Sequence, residues 1–278
     1  MSLQIIGDPV LHSKSPVIQG AMLAALGLDL EYTPHVVRRG ELPQYLAWAR
    51  EKGVTGFNAT MPHKEDLVPL LDEADPAAKT VGAVNTVCLR AGKWVGFNTD
   101  GAGAVAALEG AGLDPAGLTI TLLGAGGAAK AVALALSAAG AKRVFVCNRT
   151  LSRAQALCAQ DPLGRLSPAA FDVDTLTDLT EASQLLVNCT NLGMAGCDHQ
   201  FEDFSFLEAL PRDAAVFDAI YHPAETELLS RARRRGLKTL NGLPMLVNQA
   251  VLALERFLDR PLDRPAMAAV AAAALNQN

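Results

Sequence analysis

Lys64 and Asp100 are the residues of this chain best suited to moving a proton. Lys64 lies just past a predicted strand, in a turn fixed by Pro62, and Asp100 belongs to the segment Asn98-Thr99-Asp100-Gly101. A lysine amine can accept the proton of an alcohol or return it, and a neighbouring carboxylate can hold the ammonium in place. The pair is therefore a candidate for alcohol oxidation, in which the hydroxyl proton passes to the protein while hydride leaves for a nicotinamide.

Polar residues gather in short segments at predicted strand ends, where a sheet would aim them into a cleft. These segments are Gly7–Pro16, Gly56–Lys64, Gly82–Thr86 and Asn98–Gly101. Asn58, Asn85 and Asn98 lie in or beside strands against β-propensity, and local rules broken at several strand ends are typical of a functional site. Hydroxyl and amide groups of this kind suit a small polyhydroxylated acid.

Two serines in the first segment have different interpretations. Ser15 precedes Pro16 and makes a good helix N-cap, so capping and substrate binding are equally open for it. Ser13 has no such capping position and favours substrate binding. His12 is interpreted as a scaffold residue of the loop rather than as part of the chemistry.

A glycine-rich loop predicts a dinucleotide site in the middle of the chain. Gly124-Ala125-Gly126-Gly127-Ala128 follows the apolar run Leu118–Leu123 and opens an alanine-rich helix pattern at 128–139. A strand, a tight glycine turn and a helix are the context in which such a loop binds a pyrophosphate.

The next apolar run ends in residues that indicate which dinucleotide is bound. Asn148-Arg149-Thr150 begins 24 positions after Gly124, close to the roughly 20 expected for the residue that contacts the ribose. An acidic residue there would accept from a 2′-hydroxyl, whereas a cation with short hydroxyl and amide groups suits a 2′-phosphate. Arg153, one helical turn on, can join them. The sequence therefore predicts NADP.

Strand and helix patterns alternate from the N-terminus and predict an α/β fold of two domains. Residues 1–100 are expected to form a substrate-binding and catalytic α/β domain with a mostly parallel sheet. Residues 101–240 are expected to form a Rossmann-like NADP-binding domain, and 241–278 to form helices that pack back on the first domain. Within the first domain the pattern predicts a short helix at 72–79, followed by a hairpin around Arg90–Lys93.

Composition excludes several other classes of protein. The net charge is −5 and no basic cluster indicates nucleic acid, and the longest apolar stretch, Ala266–Leu275, is too short to span a bilayer. The five cysteines form no Cys-x-x-Cys pair, which favours reduced thiols in the cytoplasm. Cys197 and His199 fall short of a zinc site, so no metal is expected.

Taken in order, the motifs resemble the shikimate dehydrogenase family over nearly the whole chain. The matching segments are His12–Pro16, Asn58–Lys64, Gly82–Thr86, Asn98–Gly101, Gly124–Ala128, Asn148–Thr150, Asn188–Thr190, Gly193-Met194, Asp218–Thr226 and Gly242–Ala250. Each motif is modest alone, but their combination in this order is highly specific.

The resemblance implies reversible reduction of 3-dehydroshikimate to shikimate with NADPH, a step toward chorismate and the aromatic amino acids. Substrate would be bound by Ser13, Ser15, Asn58, Thr60, Asn85, Asp100 and Gln249. Lys64 would be the proton-transfer residue, and Gly242 would join the cofactor site. Tyr221 matches a position near substrate and nicotinamide. From the residues alone, Tyr221 is equally a packing residue beside Pro223, and Gln249 an exposed helix residue.

Three positions depart from the family pattern, and other functions stay open. Gln19-Gly20 stands where many members have His-Asn, Phe97 where a polar residue is frequent, and Asn191 where serine is usual. The alternatives are a quinate/shikimate dehydrogenase of broader specificity, a non-catalytic nucleotide-binding paralogue, and a folate-linked dehydrogenase of similar architecture. The partner is expected to be the small-molecule substrate, and the protein a monomer or a homodimer.

Overall fold

The computed structural model describes residues 2–276, and the chain divides into two compact units. The first contains the described parts of Met1–Gly103 and Val247–Asn278, and the second contains Ala104–Leu246. The predicted domain limits at residues 1 and 278 lie outside the described part of the chain.

The first unit is built around a six-stranded sheet with the strand order β2-β1-β3-β5-β6-β4. Its elements before residue 100 are β1 (Ser2–Gly7), α1 (Ser15–Ala25), β2 (Glu31–Val36), α2 (Leu42–Glu51), β3 (Val54–Ala59), a 3₁₀ turn (Val68–Leu70), β4 (Glu73–Ala74), α3 (Pro76–Val81), β5 (Thr86–Arg90) and β6 (Lys93–Phe97). β1 pairs in parallel with β2 and β3, whereas β5 is antiparallel to β3 and β6.

The reversed direction of β5 decides where its polar residues lie. Thr86, the first residue of β5, pairs with Asn58 near the end of β3 and with Phe97 at the end of β6. The polar segments that follow β3 and β6 and precede β5 therefore meet at one edge of the sheet. Beneath this edge, Phe57 and Trp94 are fully buried and their rings meet edge to face, with centroids 5.5 Å apart.

The predicted helix at 72–79 is wrong in its first half. Glu73 and Ala74 form β4 and pair with β6, and the helix begins only at Pro76. Proline disfavours a helical conformation in the residue before it, and Asp75 is extended, with its carboxylate accepting from the N–H of Ala78 at 2.7 Å. The prediction of a helix from residue 72 did not take account of Asp75 and Pro76, which together mark the start of α3.

The second unit is a parallel sheet of six strands in the order β12-β11-β10-β7-β8-β9. Helix α4 (Asp100–Gly110) leads into it, and its elements are β7 (Thr119–Leu123), α5 (Gly127–Ala138), β8 (Arg143–Asn148), α6 (Leu151–Cys158), β9 (Leu166–Ala170), α7 (Val173–Glu181), β10 (Leu185–Asn188), α8 (Phe206–Ala209), β11 (Ala215–Asp218), α9 (Glu227–Arg234) and β12 (Lys238–Leu240). This is the strand order of a Rossmann fold, in which the order reverses between β7 and β10. The predicted α/β class with a Rossmann-like unit is confirmed.

Two helices complete the chain, α10 (Leu243–Leu258) and α11 (Arg264–Asn276). Proline at the second position of α10 is tolerated because the first N–H groups of a helix have no partner within it. Among the described residues, no helix combines the length and apolar character needed to cross a membrane.

Candidate active site

The loop after β1 is hydrogen-bonded to the loop after β3 and packs closely against it. The N–H of Asp8 donates to the carbonyl oxygen of Met61 at 3.0 Å. A Cβ atom at Gly7 would lie 2.9 Å from that same oxygen and would overlap the methyl group of Thr60. Only glycine allows this approach, so the loops that carry the serines and Thr60 are fixed against each other.

Of the two alternatives for Ser15, the capping role is wrong, and the hydroxyl that contacts the start of α1 belongs to Ser13. The N-cap of α1 is Lys14, and Ser15 is the first helical residue. The hydroxyl oxygen of Ser13 accepts from the N–H of Ser15 at 3.2 Å. Ser15 is 7% exposed, and within the described residues its hydroxyl has no protein partner. The hydroxyl of Ser15 is therefore available to bind a ligand. The hydroxyl of Ser13 also has a structural role, because it accepts from the helix start.

Lys64 and Asp100 form an ion pair in this unit. The Nζ atom of Lys64 lies 2.6 Å from Oδ2 of Asp100, and the two side chains are 22% and 7% exposed. The backbone of Lys64 is held by Val84, whose N–H donates to its carbonyl oxygen at 2.8 Å. Asp100 is the first residue of α4, where the helix dipole favours a carboxylate. The predicted proton-transfer pair is thus brought together from two separate loops.

Asn85 holds the other oxygen of Asp100. Its Nδ2 donates to Oδ1 of Asp100 at 2.8 Å and to Oγ1 of Thr99 at 2.9 Å. Its Oδ1 accepts from the N–H of Thr99 and from the hydroxyl of Thr86, both at 2.9 Å. Asn85 is 2% exposed, so its amide mainly organises the ion pair from behind.

Asn58 is equally well connected. Its Nδ2 donates to the backbone oxygen of Asn85 and to Oγ1 of Thr86, both at 3.0 Å. Its Oδ1 accepts from the hydroxyl of Tyr32 at 2.7 Å. Tyr32 was not among the residues predicted from sequence, because no motif surrounds it and its contact depends on the order of the strands.

Gln249 reaches the same group from α10. Its Oε1 lies 3.4 Å from Nδ2 of Asn85 and 3.5 Å from Oγ1 of Thr99. The buried side chain of Gln19 donates to the carbonyl oxygen of the next residue, Ala250, at 3.0 Å, and so ties α1 to α10. Gln249 is therefore directed at the predicted substrate residues, and its own role in substrate binding stays a prediction.

The position of Gln249 is set by close packing of its backbone against Gly103. A Cβ atom at Gly103 would lie 2.7–2.9 Å from Cβ, N and Cα of Gln249, closer than real Cβ atoms approach backbone. We expect Gly103→Ala to destabilise the protein by roughly 1–2 kcal/mol through overpacking and to raise the KM for the substrate, because Gln249 must move. Thermal unfolding and steady-state kinetics measure both effects.

A nearby glycine gives the control for this prediction. Gly110 lies on the same helix, and a Cβ atom there meets nothing within 4 Å. Gly110→Ala should leave the KM unchanged. If Gly103→Ala also left both KM and unfolding temperature unchanged, the proposed placement of Gln249 by this contact would be wrong.

Thr60 and His63 shape the turn that carries Lys64. Thr60 is half-buried, and its carbonyl oxygen accepts from the N–H of His63 at 3.0 Å. His63 is fully buried, and its Nε2 donates to the carbonyl oxygen of Val37 at 2.7 Å. The turn is therefore fastened to the end of β2, which keeps the backbone of Lys64 in place.

In the second unit, the glycine loop lies where the strand order reverses. Gly124 follows β7 with a φ of +110°, and a Cβ atom there would lie 3.1 Å from the carbonyl oxygen of Cys189, beyond the end of β10. Gly126 is the N-cap of α5 and offers no side chain to the first N–H groups of that helix. Cβ atoms at Gly126 and Gly127 would project into open space. The loop therefore fits a pyrophosphate, with Ala125 and Ala128 completing the turn.

The predicted phosphate residues lie at the end of β8, the strand beside β7. Nδ2 of Asn148 donates to the carbonyl oxygen of Thr150 at 2.9 Å, which shapes the turn. Thr150 is the N-cap of α6, yet its hydroxyl makes no capping bond. Arg149 and Arg153 are exposed, and among the described residues no carboxylate pairs with either. Two unneutralised guanidinium groups and a free hydroxyl fit a 2′-phosphate.

A buried carboxylate organises the ends of β10 and β11, and sequence reasoning did not single it out. Asp218 accepts from Nδ2 of Asn188 at 3.0 Å and from the hydroxyl of Thr226 at 2.6 Å. Burial raises the pKa of Asp218 above its usual value, although these hydrogen bonds and that of the Ile220 N–H oppose the rise. This carboxylate joins the β10 end to the loop that carries Tyr221.

Tyr221 follows β11 and Gly242 follows β12, so both lie at this end of the sheet. Tyr221 is 38% exposed, and partial burial raises the pKa of its phenol. A Cβ atom at Gly242 would overlap the carbonyl group of Ala219, and the N–H of Gly242 donates to the carbonyl oxygen of Ile220 at 2.9 Å. Gly242 therefore has a packing reason to be glycine, independent of any cofactor contact.

The fold and the two sites define a class of protein. One unit carries a lysine–aspartate pair among amide and hydroxyl groups, and the other carries a Rossmann loop with a cationic end. This is the equipment of a dinucleotide-dependent oxidoreductase. Residues 5–87 match the family model described as shikimate dehydrogenase substrate binding domain, and residues 108–213 match shikimate / quinate 5-dehydrogenase. The chain belongs to the shikimate dehydrogenase family.

Individual relatives agree with this assignment. A shikimate dehydrogenase (NADP(+)) of Symbiobacterium thermophilum is 42% identical, over 97% of this chain and 94% of its own length. The shikimate 5-dehydrogenase of Thermus thermophilus, crystallised with NADP(H) and shikimate, is 35% identical with a TM-score of 0.84, covering 99% of both chains. The quinate dehydrogenase of Corynebacterium glutamicum, in complex with NAD, is 32% identical with a TM-score of 0.86, covering 97% of this chain and 98% of its own.

Proposed function

We propose that this protein catalyses the reversible NADPH-dependent reduction of 3-dehydroshikimate to shikimate, a step of the shikimate pathway that leads to chorismate and the aromatic amino acids. The observation that carries the proposal is the Lys64–Asp100 pair, 2.6 Å apart and backed by Asn85. The NADP-dependent shikimate dehydrogenases among its relatives support the same activity.

Lys64 is the catalytic residue of this mechanism. When bound, NADPH supplies the hydride that adds to the carbonyl carbon. The Nζ atom of Lys64 gives a proton to the carbonyl oxygen as that oxygen becomes a hydroxyl, and takes it back in the reverse direction. Oδ2 of Asp100 holds the ammonium in one place, and Asn85 fixes the carboxylate by holding its other oxygen. Asp100 thus serves both as a partner of Lys64 and as an acceptor for a substrate hydroxyl.

The remaining substrate contacts come from neutral groups. Asn58, Thr60, Asn85 and Gln249 are proposed to bind the hydroxyls of the substrate, and Tyr221 to lie near the substrate and the nicotinamide. The hydroxyls of Ser13 and Ser15 are proposed to bind its carboxylate, since hydroxyl donors beside a helix start suit an anion. The cofactor is proposed to contact Gly124–Ala128, Asn148–Thr150, Arg153 and Gly242.

The serine assignment predicts a loss of substrate affinity. We expect the Ser13→Ala/Ser15→Ala double variant to raise the KM for shikimate about tenfold or more, because hydrogen bonds to a charged group contribute about 1.5–3 kcal/mol each. The value of kcat should change much less. Steady-state kinetics at saturating NADP gives both constants.

Ser15→Ala alone separates binding from capping, because only Ser13 accepts a helix N–H. The single variant should raise KM without lowering the unfolding temperature. Ser230→Ala, on α9, serves as a control that changes neither. An unchanged KM together with a lowered unfolding temperature would leave the serines with a structural role alone.

Substrate and cofactor choice are decided by one comparison. Turnover of shikimate and of quinate is measured with NADP and with NAD. We expect the highest kcat/KM for shikimate with NADP. Comparable activity on quinate, especially with NAD, would favour the broader dehydrogenase, and the absence of turnover in all four assays would favour a non-catalytic paralogue.

We propose the following division of labour along the chain. Residues 1–100 bind substrate and perform the chemistry, 101–240 bind NADP, and 241–278 return to the first unit. The match of residues 5–87 to a substrate-binding domain supports the first assignment, and the inclusion of the described part of Val247–Asn278 in the first unit supports the last.

We further propose a cytoplasmic enzyme that is a monomer or a homodimer. All five cysteines are free, and Cys88 and Cys147 are buried, which supports a reducing compartment. Light scattering on the purified protein decides its oligomeric state.

A further inference from the structure

Tyr32 is a buried phenol whose hydroxyl reaches the proposed substrate site from behind. It is 7% exposed and lies on β2, where it pairs with Leu3 of β1. Asn58 lies on β3, on the other side of β1, where it pairs with Ile5. The tyrosine hydroxyl therefore crosses the width of β1 to lie 2.7 Å from Oδ1 of Asn58.

The partners of Asn58 fix the direction of this hydrogen bond. The backbone oxygen of Asn85 can only accept, so the atom of Asn58 that faces it at 3.0 Å is the donor Nδ2. The atom that faces Tyr32 is then Oδ1, which can only accept. Burial raises the pKa of Tyr32 well above its usual value, so its phenol stays protonated and donates. Both amide hydrogens of Asn58 are used, because the second goes to Thr86.

The hydrogen bonds continue from Asn58 through Thr86 and Asn85 to Asp100. Because Oγ1 of Thr86 accepts from Asn58, its single proton is free for Oδ1 of Asn85, 2.9 Å away. Oδ1 of Asn85 also accepts from the N–H of Thr99, so Nδ2 of Asn85 is turned to Asp100. A chain of hydrogen bonds, each with one allowed direction, thus runs from Tyr32 to the carboxylate that holds Lys64.

We infer that Tyr32 is a positioning residue of the substrate site, which sets Asn58 as a pure hydrogen-bond acceptor toward the substrate. One lone pair of Oδ1 is held by the tyrosine, and the other is left for a ligand. A substrate group bound there must therefore donate a proton, as a hydroxyl does and a ketone or an ether does not. This inference rests on the proposed function, because it assigns the polarity of one contact within the same site.

Tyr45 provides a matched control. Its hydroxyl donates to Oε1 of Gln4 at 2.9 Å, it is 4% exposed, and it lies in the same unit. Both Tyr32→Phe and Tyr45→Phe remove one buried hydroxyl that donates to an amide oxygen. Their effects on the unfolding temperature should be similar, whereas only Tyr32 is connected to the site.

The test measures KM and kcat for shikimate in the purified enzyme. We expect Tyr32→Phe to raise the KM about five- to tenfold, since an amide oxygen loses one of its partners and its orientation, with a smaller change in kcat. The KM for NADP should stay the same. Tyr45→Phe should leave all three constants unchanged.

A double-mutant cycle asks whether Tyr32 acts through Asn58. In an Asn58→Ala background, Tyr32→Phe should raise the KM no further, because the two changes remove one shared contact. Equal increases in both backgrounds would overturn the inference, as would a KM for Tyr32→Phe within twofold of that of the parent enzyme. Thr86→Val removes the next donor of the chain and is expected to raise the KM as well. If Tyr32→Phe folds poorly, an unchanged KM in Thr86→Val overturns the inference instead.

Failure of the inference differs from failure of the proposed function. If the parent enzyme turns over shikimate with normal constants and the tyrosine variant equals it, only the role of Tyr32 is wrong. If the parent enzyme turns over no shikimate with either nicotinamide cofactor, the proposed function itself is wrong.

Discussion

Replacing Lys64 with alanine should lower kcat by about 10²–10⁴ and change the KM for shikimate much less. The ammonium lies 2.6 Å from Asp100 and is the cation of this polar group. In the proposed mechanism, this change removes the group that gives the developing hydroxyl its proton. Steady-state kinetics in both directions, with shikimate and with 3-dehydroshikimate, measures the effect.

Two further variants show whether proton transfer or charge is at stake. Lys64→Arg keeps a cation beside Asp100 but cannot release a proton, because a guanidinium stays protonated in proteins, so kcat should stay low. Lys93 forms an exposed ion pair with Glu73 at 2.7 Å, and Lys93→Ala should leave kcat unchanged. If kcat of Lys64→Ala stayed within a few-fold of the parent value, Lys64 would be a binding residue or a bystander.

Replacing Arg149 with alanine should weaken the binding of NADP roughly ten- to a hundredfold. A guanidinium can hold a phosphate through two parallel hydrogen bonds, and charge-assisted bonds contribute about 1.5–3 kcal/mol each. Arg149 is exposed at the end of β8, and among the residues described here no carboxylate competes for it. NAD lacks the 2′-phosphate, so its KM should remain nearly the same.

The comparison of the two cofactors is the measurement that matters. Kinetic constants for NADP and NAD are determined for Arg149→Ala and for Arg143→Ala. Arg143 lies at the other end of the same strand, where it donates to the hydroxyl of Ser167 at 2.7 Å, so its loss should affect neither cofactor. If Arg149→Ala weakened the binding of NADP and of NAD equally, Arg149 would support the fold or the adenine pocket. The assignment of NADP as the cofactor would then be wrong.

Local patterns predicted the Rossmann unit well, because its signals lie within a few residues of one another. The glycine loop, the flanking strand and the helix are consecutive, and their order dictates a turn at the strand end. Where two local signals competed, the sequence was less decisive. Ser15 looked like an N-cap, but Lys14 occupies that position and the hydroxyl of Ser13 takes the N–H of Ser15.

Contacts between distant segments could not be predicted from one sequence. Tyr32 can donate a hydrogen bond to Asn58 only because β1 lies between β2 and β3. Neither residue type predicts this order of strands. Gly103 packs against the backbone of Gln249 only because α4 and α10 approach each other at that residue. Both contacts are set by packing. The polar pattern predicted Asn58 and the family resemblance predicted Gln249, but neither indicated the residues that position them.

The tie between Gln19 and Ala250 has a consequence for how sequences of this family can drift. The acceptor is a backbone oxygen, which every residue at position 250 supplies, so no second change is needed when position 19 changes. Histidine, which the family resemblance leads one to expect there, also offers a ring N–H. An exchange between glutamine and histidine at position 19 can therefore keep a donor for this backbone oxygen, whatever residue stands at position 250.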